Sequence, residues 1–168
     1  KKVILDKVKL LYVGRIRVEK GIFSFLKMFE KIDLDVEFSI VSDIINIKKT
    51  NKNVNFLGFG YDAKSLIKIY DDHNIMILPS FTEGHPQVVI ESLSRKRPVI
   101  VFEEISHVTN NKKGIFVAKR NVDSFTTTVK YIMQNYYEIQ KEIDQNNLPT
   151  KEKFINQISN IVRERKYT

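Results

Sequence analysis

The sequence predicts a doubly wound α/β fold, in which a mainly parallel sheet of about six strands is covered by helices on both faces. Two observations predict it. Short runs of apolar residues alternate along the chain with longer runs whose apolar residues recur every three or four positions. The short runs show little alternation of polar and apolar residues, so each predicted strand should be buried on both faces. The length of 168 residues suits a single domain.

The first half of the chain provides three predicted strands and two predicted helices. Apolar runs predict strands at residues 10–13, 36–41 and 54–57. An apolar stripe that includes Phe25 and Phe29 predicts a helix over about 20–32, and Leu66 and Tyr70 mark a helix over 63–70. Helices between successive strands are the connections that parallel strands require.

The second half continues this alternation and then becomes helical. It predicts a strand at 75–78, a helix over about 86–95, and strands at 98–102 and 114–117. Apolar residues from Phe125 to Ile143 recur at helical spacing and predict one long helix within about 121–147. Pro149 interrupts the pattern, and Thr150 can cap a last helix over about 150–166. We expect one domain over 1–168, with an α/β core over about 8–120.

The composition favours a folded protein with an anionic partner. Hydrophobic residues make up 42% and charged residues 29%, which is typical of globular proteins. The net charge of +8 suits nucleotides, nucleic acid or an anionic membrane surface, and solvated helix faces explain it equally well. The chain has no cysteine, which fits a reducing compartment, and no apolar run of the roughly 18 residues that span a bilayer. It begins with Lys1 rather than methionine, which fits a domain of a longer protein.

The loop after the first predicted strand carries basic residues between two glycines, in the order Gly14-Arg15-Ile16-Arg17-Val18-Glu19-Lys20-Gly21. The glycines allow a sharp turn and a close backbone approach. Arg15 offers a planar fork to phosphate oxygens, and Lys20 offers a compact charge at a helix start. Because ligands bind at the carboxyl ends of parallel strands, we expect this loop to bind an anion. An ordinary solvated loop is the alternative.

The loop after the fourth predicted strand leads into a helix whose start can bind an anion. Pro86 suits the first helical position, which makes His85 the expected cap residue. The free N–H groups of the first turn, together with the helix dipole, then form an anion site. Two loops that follow different strands would meet at one edge of the sheet and clamp a diphosphate from two sides.

Two glutamates flank this helix start. Glu83 would repel a phosphate, so we expect its carboxylate to point away, towards sugar hydroxyls. Glu91 lies one turn into the helix, within reach of a ribose. The alternative for Glu91 is an ion pair with Arg95, four residues further along the same helix face.

Competing motifs carry less weight. Residues 58–63 match the dinucleotide fingerprint G-x-G-x-x-A, and Glu83 follows about twenty residues later, but the motif stands in the third strand–helix unit rather than the first. The histidines are expected on separate loops, which argues against a metal site: His73, His85 and His107. Basic clusters occur without a recognisable nucleic-acid module, so we expect no nucleic acid partner.

Taken together, the two loops resemble the C-terminal, donor-binding domain of retaining glycosyltransferases of the GT-B fold. The resemblance is to the family 4 or group 1 type, which includes many bacterial surface-polysaccharide enzymes. Gly14-Arg15 with Lys20-Gly21 is similar to the family's G-R-x-x-x-x-K-G. Pro79-Ser80, Glu83-Gly84-His85-Pro86 and Glu91 are similar to its P-S-x-x-E-G-x-P-x-x-x-x-E segment. The resemblance covers about residues 8–125 and implies a Rossmann-like core.

The resemblance implies a role for each matched residue. Arg15 and Lys20 would bind the donor diphosphate and stabilise the leaving nucleoside diphosphate, and Glu83 would contact the donor sugar, so these are the expected catalytic residues. Glu91 would bind the ribose. The full donor-binding set comprises Gly14, Arg15, Lys20, Leu57, Gly58, Phe59, Glu83, Gly84, His85, Pro86, Gln87 and Glu91. No metal or other cofactor is expected, because positive groups and the helix start would neutralise the developing charge.

We therefore expect the donor-binding domain of a glycosyltransferase that moves a sugar, with retention, from a nucleoside-diphosphate sugar to a glycan or lipid-linked acceptor. The acceptor would bind an N-terminal domain that this sequence lacks, so the chain alone should bind nucleotide weakly and not turn over. We expect a cytoplasmic location and leave open a peripheral association with the inner membrane face. A non-catalytic nucleotide-binding module and a dinucleotide-dependent oxidoreductase fragment remain alternatives. Departures from the family pattern leave the donor open: residues 42–43, 96–97 and 103–107.

Overall fold

The computed structural model describes residues 7–43 and 53–150, and it confirms the doubly wound α/β fold. The expected helix over 150–166 lies outside the described residues, apart from Thr150. A single sheet of parallel strands has the order β3-β2-β1-β4-β5-β6. Its strands are β1 Val8–Val13, β2 Val36–Val41, β3 Val54–Gly58, β4 Ile75–Leu78, β5 Val99–Phe102 and β6 Ile115–Ala118. The α-helices are α1 Ile22–Phe29, α2 Ala63–Asp72, α3 Gln87–Ser94, α4 Val122–Gln134 and α5 Tyr136–Ile143.

The strand order creates a switch point between β1 and β4. From β1 the chain moves outward through β2 to β3, then returns to place β4 on the other side of β1. Right-handed crossovers therefore put α1 on one face of the sheet, and α2 and α3 on the opposite face. Because the helices that follow β1 and β4 lie on opposite faces, a crevice is expected at the carboxyl edge of the sheet at this point.

An aromatic cluster holds α1 and α4 on the sheet. The ring of Phe25 in α1 lies 5.0 Å from that of Phe38 in β2 and 5.2 Å from that of Phe125 in α4, centroid to centroid. Phe102 of β5 completes the cluster, and all of these side chains are fully buried. Each contributes on the order of 2–3 kcal/mol through burial, so the carboxyl edge rests on a rigid platform.

The expectation of one long helix within 121–147 is wrong. The segment forms α4 and α5, which meet at Asn135. This residue has φ −110° and ψ 17°, and its side-chain amide donates to the carbonyl of Tyr131 at 2.9 Å. Asparagine bonds locally to the backbone in this way and interrupts a helix that the apolar spacing alone would continue.

Two further segments differ from the expected pattern. The helix expected from residue 20 begins at Ile22, because a 3₁₀ turn over Val18–Lys20 ends at Gly21 in the left-handed conformation, with φ 65°. The segment Glu103–Thr109 after β5, expected as a loop, contains 3₁₀ turns. No helix in the described ranges is long and apolar enough to cross a membrane.

Candidate functional site

The loops after β1 and β4 are locked together at the switch point. The amide of Phe81 donates to the carbonyl of Glu19 at 2.9 Å. Gly21 lies so close to the second loop that a Cβ on it would be 1.9 Å from the carbonyl oxygen of Pro79. This approach requires glycine both for space and for its positive φ. The backbones of the two loops therefore form one unit.

Lys20 and Glu83 meet across this junction. The Lys20 Nζ donates to Glu83 Oε1 at 2.7 Å, and the hydroxyl of the fully buried Ser80 donates to the same oxygen at 2.6 Å. The Glu83 side chain is only 8% exposed, whereas that of Lys20 is 28% exposed. Among the described residues, Glu83 Oε2 has no hydrogen-bond partner. One carboxylate oxygen is thus held by the protein, and the other is available to a ligand.

A buried tyrosine holds the backbone of Arg15, whose side chain is exposed. The Tyr12 hydroxyl donates to the Arg15 carbonyl at 2.8 Å, and the exposed guanidinium has no ion pair or hydrogen bond with any described residue. Burial and the nearby charge of Glu83 raise the pKa of Tyr12, so its hydroxyl remains a donor at neutral pH. A Cβ on Gly14 would lie 3.0 Å from this hydroxyl, which leaves little room for a larger residue.

The start of α3 differs by one residue from the expected cap. Pro86 has extended backbone angles and is itself the cap residue, so Gln87 rather than Pro86 is the first helical residue, and His85 lies outside the cap. Within residues 7–43 and 53–150, no side chain makes a cap hydrogen bond to this helix. By contrast, Asp62 caps α2 and Asn121 caps α4 through side-chain hydrogen bonds. The Val89 amide donates to the Pro86 carbonyl at 3.2 Å, whereas the amides of Gln87 and Val88 have no partner among the described residues. These two N–H groups are therefore left for a ligand or water.

Glu91 is held by a tyrosine rather than by Arg95. Its Oε2 accepts a hydrogen bond of 2.8 Å from the hydroxyl of Tyr70, a buried residue of α2. Arg95 instead makes a two-pronged pair with Asp71, at 2.9 and 2.6 Å. The alternative of a Glu91–Arg95 pair is therefore wrong. Burial and the Glu91 charge raise the pKa of Tyr70, which keeps it protonated as a donor that orients Glu91.

The predicted residues surround a cleft of about 490 Å³ at the switch point, a size suited to a small-molecule ligand. Most of the expected donor-binding set lines it, namely Gly14, Arg15, Lys20, Phe59, Glu83, His85, Pro86, Gln87 and Glu91. Leu57 instead borders a larger groove of about 920 Å³ beside α2, and Gly84 borders a small cleft beside His107. Gly58 lines none of these spaces in the described structure.

The dinucleotide fingerprint at 58–63 lies at one edge of the sheet, and of its residues only Phe59 lines the switch-point cleft. It follows β3, which is an edge strand, and leads into α2. The Asp62 carboxylate already caps that helix by accepting from the Ser65 amide at 2.8 Å. A negative charge at the helix start opposes a pyrophosphate, so the geometry disfavours this interpretation.

The three histidines do not form one cluster, although His85 and His107 line the same small cleft. His73 is buried at the end of α2, where its Nδ1 donates to the Ile69 carbonyl at 2.6 Å. His107 donates from Nε2 to the carbonyl of Glu83 at 2.8 Å. Within the described ranges, no group of three acidic, histidine or cysteine residues is placed to hold a metal ion.

Several residues around the cleft were missed from the sequence. Glu91 is bonded to Tyr70, the Glu83 carbonyl to His107, and the neighbouring Ser80 carbonyl to Arg120. These partners lie far away in sequence, and no local pattern predicts such pairings. The contact of Ser80 with Glu83 could have been predicted, because a serine hydroxyl can bond to a side chain three residues further along the chain.

A parallel α/β sheet with an uncapped helix start, the free side chain of Arg15 and the paired side chain of Lys20 at its switch point defines a domain suited to phosphate-bearing ligands. Residues 7–135 match the family model described as glycosyl transferases group 1, and the chain belongs to that family. It is 27% identical over 150 residues to the capsular polysaccharide biosynthesis glycosyltransferase CapM of Staphylococcus aureus, covering 80% of this chain and 39% of that protein.

Solved structures share the fold at low sequence identity. A sucrose-phosphate synthase from Thermosynechococcus elongatus matches with a TM-score of 0.76 and 17% identity, over 96% of this chain and 46% of the other. Anabaena HepE in complex with UDP-glucose matches with a TM-score of 0.64 and 13% identity, over 82% of this chain and 42% of the other. The chain spans less than half the length of each protein it matches here. These likenesses show the Rossmann-like fold, and together with the family match they support a GT-B glycosyltransferase domain.

Proposed function

We propose that this chain is the donor-binding domain of a retaining glycosyltransferase that uses a nucleoside-diphosphate sugar. The observation that carries the proposal is the meeting of Lys20 and Glu83 at the switch-point cleft, beside a helix start that no side chain caps. This arrangement offers positive charge and N–H donors for a diphosphate, and a carboxylate for hydroxyl groups. HepE, a structural neighbour, is described in complex with UDP-glucose, which supports a donor of the same class.

The diphosphate would lie between Arg15, Lys20 and the start of α3. The free guanidinium of Arg15 can take two phosphate oxygens at once. The Lys20 ammonium has three donors, and Glu83 uses one of them, so it can bridge the carboxylate and a phosphate. When the bond between the sugar and the phosphate breaks, negative charge develops on the leaving phosphate oxygen. These groups would stabilise that charge without a metal ion.

The glutamates would bind the hydroxyl groups of the donor. Glu83 Oε2 is available for the transferred sugar, because Oε1 is already held by Lys20 and Ser80. Glu91, oriented by Tyr70, lies on the cleft wall and would accept from the ribose. Exposed Phe59 borders the same cleft and would lie against the base.

The acceptor side is proposed by likeness alone. The similarity to CapM favours a glycan or lipid-linked acceptor in surface polysaccharide synthesis. Because the chain spans under two fifths of the curated relatives it matches, we propose that catalysis requires groups from a further domain. The chain alone should then bind nucleotide without turning over donor.

Calorimetric titration of the 168-residue chain with UDP, GDP, ADP and NAD tests the proposal. We expect a nucleoside diphosphate to bind and NAD not to bind. Lys20→Met should weaken diphosphate binding by about 10- to 100-fold, because a charge-assisted bond contributes on the order of 1.5–3 kcal/mol. Binding of the corresponding nucleoside should stay within about twofold.

Lys27→Met is the matched control. Lys27 is an exposed lysine of α1, so its loss changes the net charge equally but leaves the cleft intact. Equal losses of affinity in the two variants would show that general charge, not the clamp, attracts the ligand. Binding of NAD alone would favour the oxidoreductase alternative. Retention itself is tested in the complete enzyme by the anomeric configuration of the product.

A further inference from the structure

Arg120 lies behind the Glu83 loop, outside the cleft. Its guanidinium is sandwiched between the rings of Phe81 and Phe102, with its Cζ 4.3 and 4.4 Å from their centroids. Its Nε donates to Glu104 Oε1 at 2.7 Å, and its Nη2 donates to the Ser80 carbonyl at 3.3 Å. One side chain that follows β6 thus joins the loop after β4 to the segment after β5.

The contacts continue from Arg120 to the carboxylate in the cleft. Arg120 holds the carbonyl of Ser80, and the hydroxyl of that fully buried serine holds Glu83 Oε1 at 2.6 Å. His107 holds the Glu83 carbonyl, and Lys20 holds the carboxylate. The position of Glu83 therefore depends in part on Arg120, Ser80 and His107, none of which lines the cleft.

The surroundings of Arg120 indicate that its side chain holds a loop in place. Its Nη1 is buried without a hydrogen-bond partner among the described residues, and it lies 3.4 Å from where a Cβ on Gly21 would be. Such a buried donor is unfavourable for stability. Two aromatic faces and the Glu104 carboxylate keep the planar fork there, in a geometry that lysine does not reproduce.

We propose that Arg120 is a positioning residue, which holds Ser80 and through it sets the orientation of Glu83 towards the donor sugar. The orientation towards a sugar rests on the function proposed above, whereas the anchoring of the loop does not. Arg120 lines no part of the switch-point cleft, so its influence on a ligand passes through Glu83.

Amide hydrogen exchange tests the anchoring without any ligand. The reporter is the Phe81 amide, which donates to Glu19 and closes the loop junction. In Arg120→Met this amide should exchange at least about tenfold faster than in Val129→Ala, a core variant of α4 brought to equal global stability with urea. Lys119→Met, which removes the neighbouring exposed charge, should leave the rate unchanged. Equal rates in Arg120→Met and Val129→Ala would overturn the proposal.

Arg120→Lys gives the same test if the methionine variant fails to fold. Lysine keeps the charge, but one ammonium cannot reproduce the planar fork that reaches both Glu104 and Ser80. Faster exchange of Phe81 at matched stability supports the anchoring, and an unchanged rate overturns it.

Titration with UDP and UDP-glucose then tests the effect on the sugar. Arg120→Met should leave UDP affinity within about twofold and reduce the preference for UDP-glucose over UDP. An unchanged preference would overturn the role towards the sugar. If the unaltered chain binds neither ligand nor any other nucleoside diphosphate, the proposed function fails, and the exchange experiment still decides whether Arg120 anchors the loop.

Discussion

Replacing Gly21 by alanine should destabilise the protein strongly, because the new methyl group has no room. Gly21 has φ 65°, and a left-handed alanine costs on the order of 1–2 kcal/mol. Its Cβ would also lie 1.9 Å from the carbonyl oxygen of Pro79, well inside van der Waals contact. Moving one loop away from the other by more than an ångström should add about 2 kcal/mol, as overpacking does elsewhere. The expected loss is about 3–4 kcal/mol.

Gly58→Ala separates the two costs. Gly58 also has a positive φ, of 79°, but nothing lies within 4 Å of a Cβ built on it. This variant should lose only the conformational part, about 1–2 kcal/mol. Urea unfolding followed by circular dichroism measures both variants, and Gly21→Ala should be the less stable by about 2 kcal/mol, or several degrees in Tm.

The comparison also tests the coupling between the loops. The methyl group at Gly21 should open the Phe81–Glu19 hydrogen bond and speed exchange of the Phe81 amide, whereas Gly58→Ala should not. Equal losses of stability in the two alanine variants would refute the steric argument. The two loops would then be held less closely than the backbone contact requires.

Two other variants test helix termination and pH dependence. Lys96 follows Arg95, the cap residue at the end of α3, and has the left-handed conformation with φ 57°. Glycine adopts this conformation without strain, so Lys96→Gly should raise the free energy of unfolding, measured in urea, by about 0.5–1 kcal/mol. Lys96→Ala should give no gain. Burial lowers the pKa of His73 below its ordinary value, so the unfolded chain takes up a proton more readily than the folded one. Stability should therefore be fully present above about pH 6.5 and fall by up to about 1.4 kcal/mol per unit as the pH drops below it. Urea unfolding at pH 7.5 and 5.5 should show a smaller fall for His73→Gln, and an equal fall would contradict the role of His73.

The central strands β4 and β5 could be predicted from the sequence because they are buried on both faces, whereas the edge strands β3 and β6 are only partly buried. The runs Ile75–Leu78 and Val99–Phe102 consist wholly of buried residues, and no solvated face interrupts the apolar pattern. The helix boundaries were less predictable, because they depend on single residues. Asn135 divides the C-terminal helix through a bond to Tyr131, and Gly21 delays the start of α1.

The main residues of the candidate site were predictable for a topological reason. Arg15, Lys20 and Glu83 follow strands that the predicted parallel sheet brings to one edge, so their proximity follows from the order of the elements. The partners of Glu91 and Arg95 were not predictable. They come from α2, and the choice between a pair within α3 and pairs with another helix depends on how α2 packs against α3.

The sequence by itself determined a parallel α/β sheet and the basic and acidic residues that line its carboxyl edge, because burial and chain order are local properties of the pattern. Only the tertiary structure decided how those residues are held. It placed Lys20 against Glu83 and left the start of α3 uncapped. It also brought Arg120, which follows β6, into contact with Ser80, which lies 40 residues earlier in the chain. Contacts of this kind depend on distances of a few ångströms between separate elements, which packing sets and residue spacing does not.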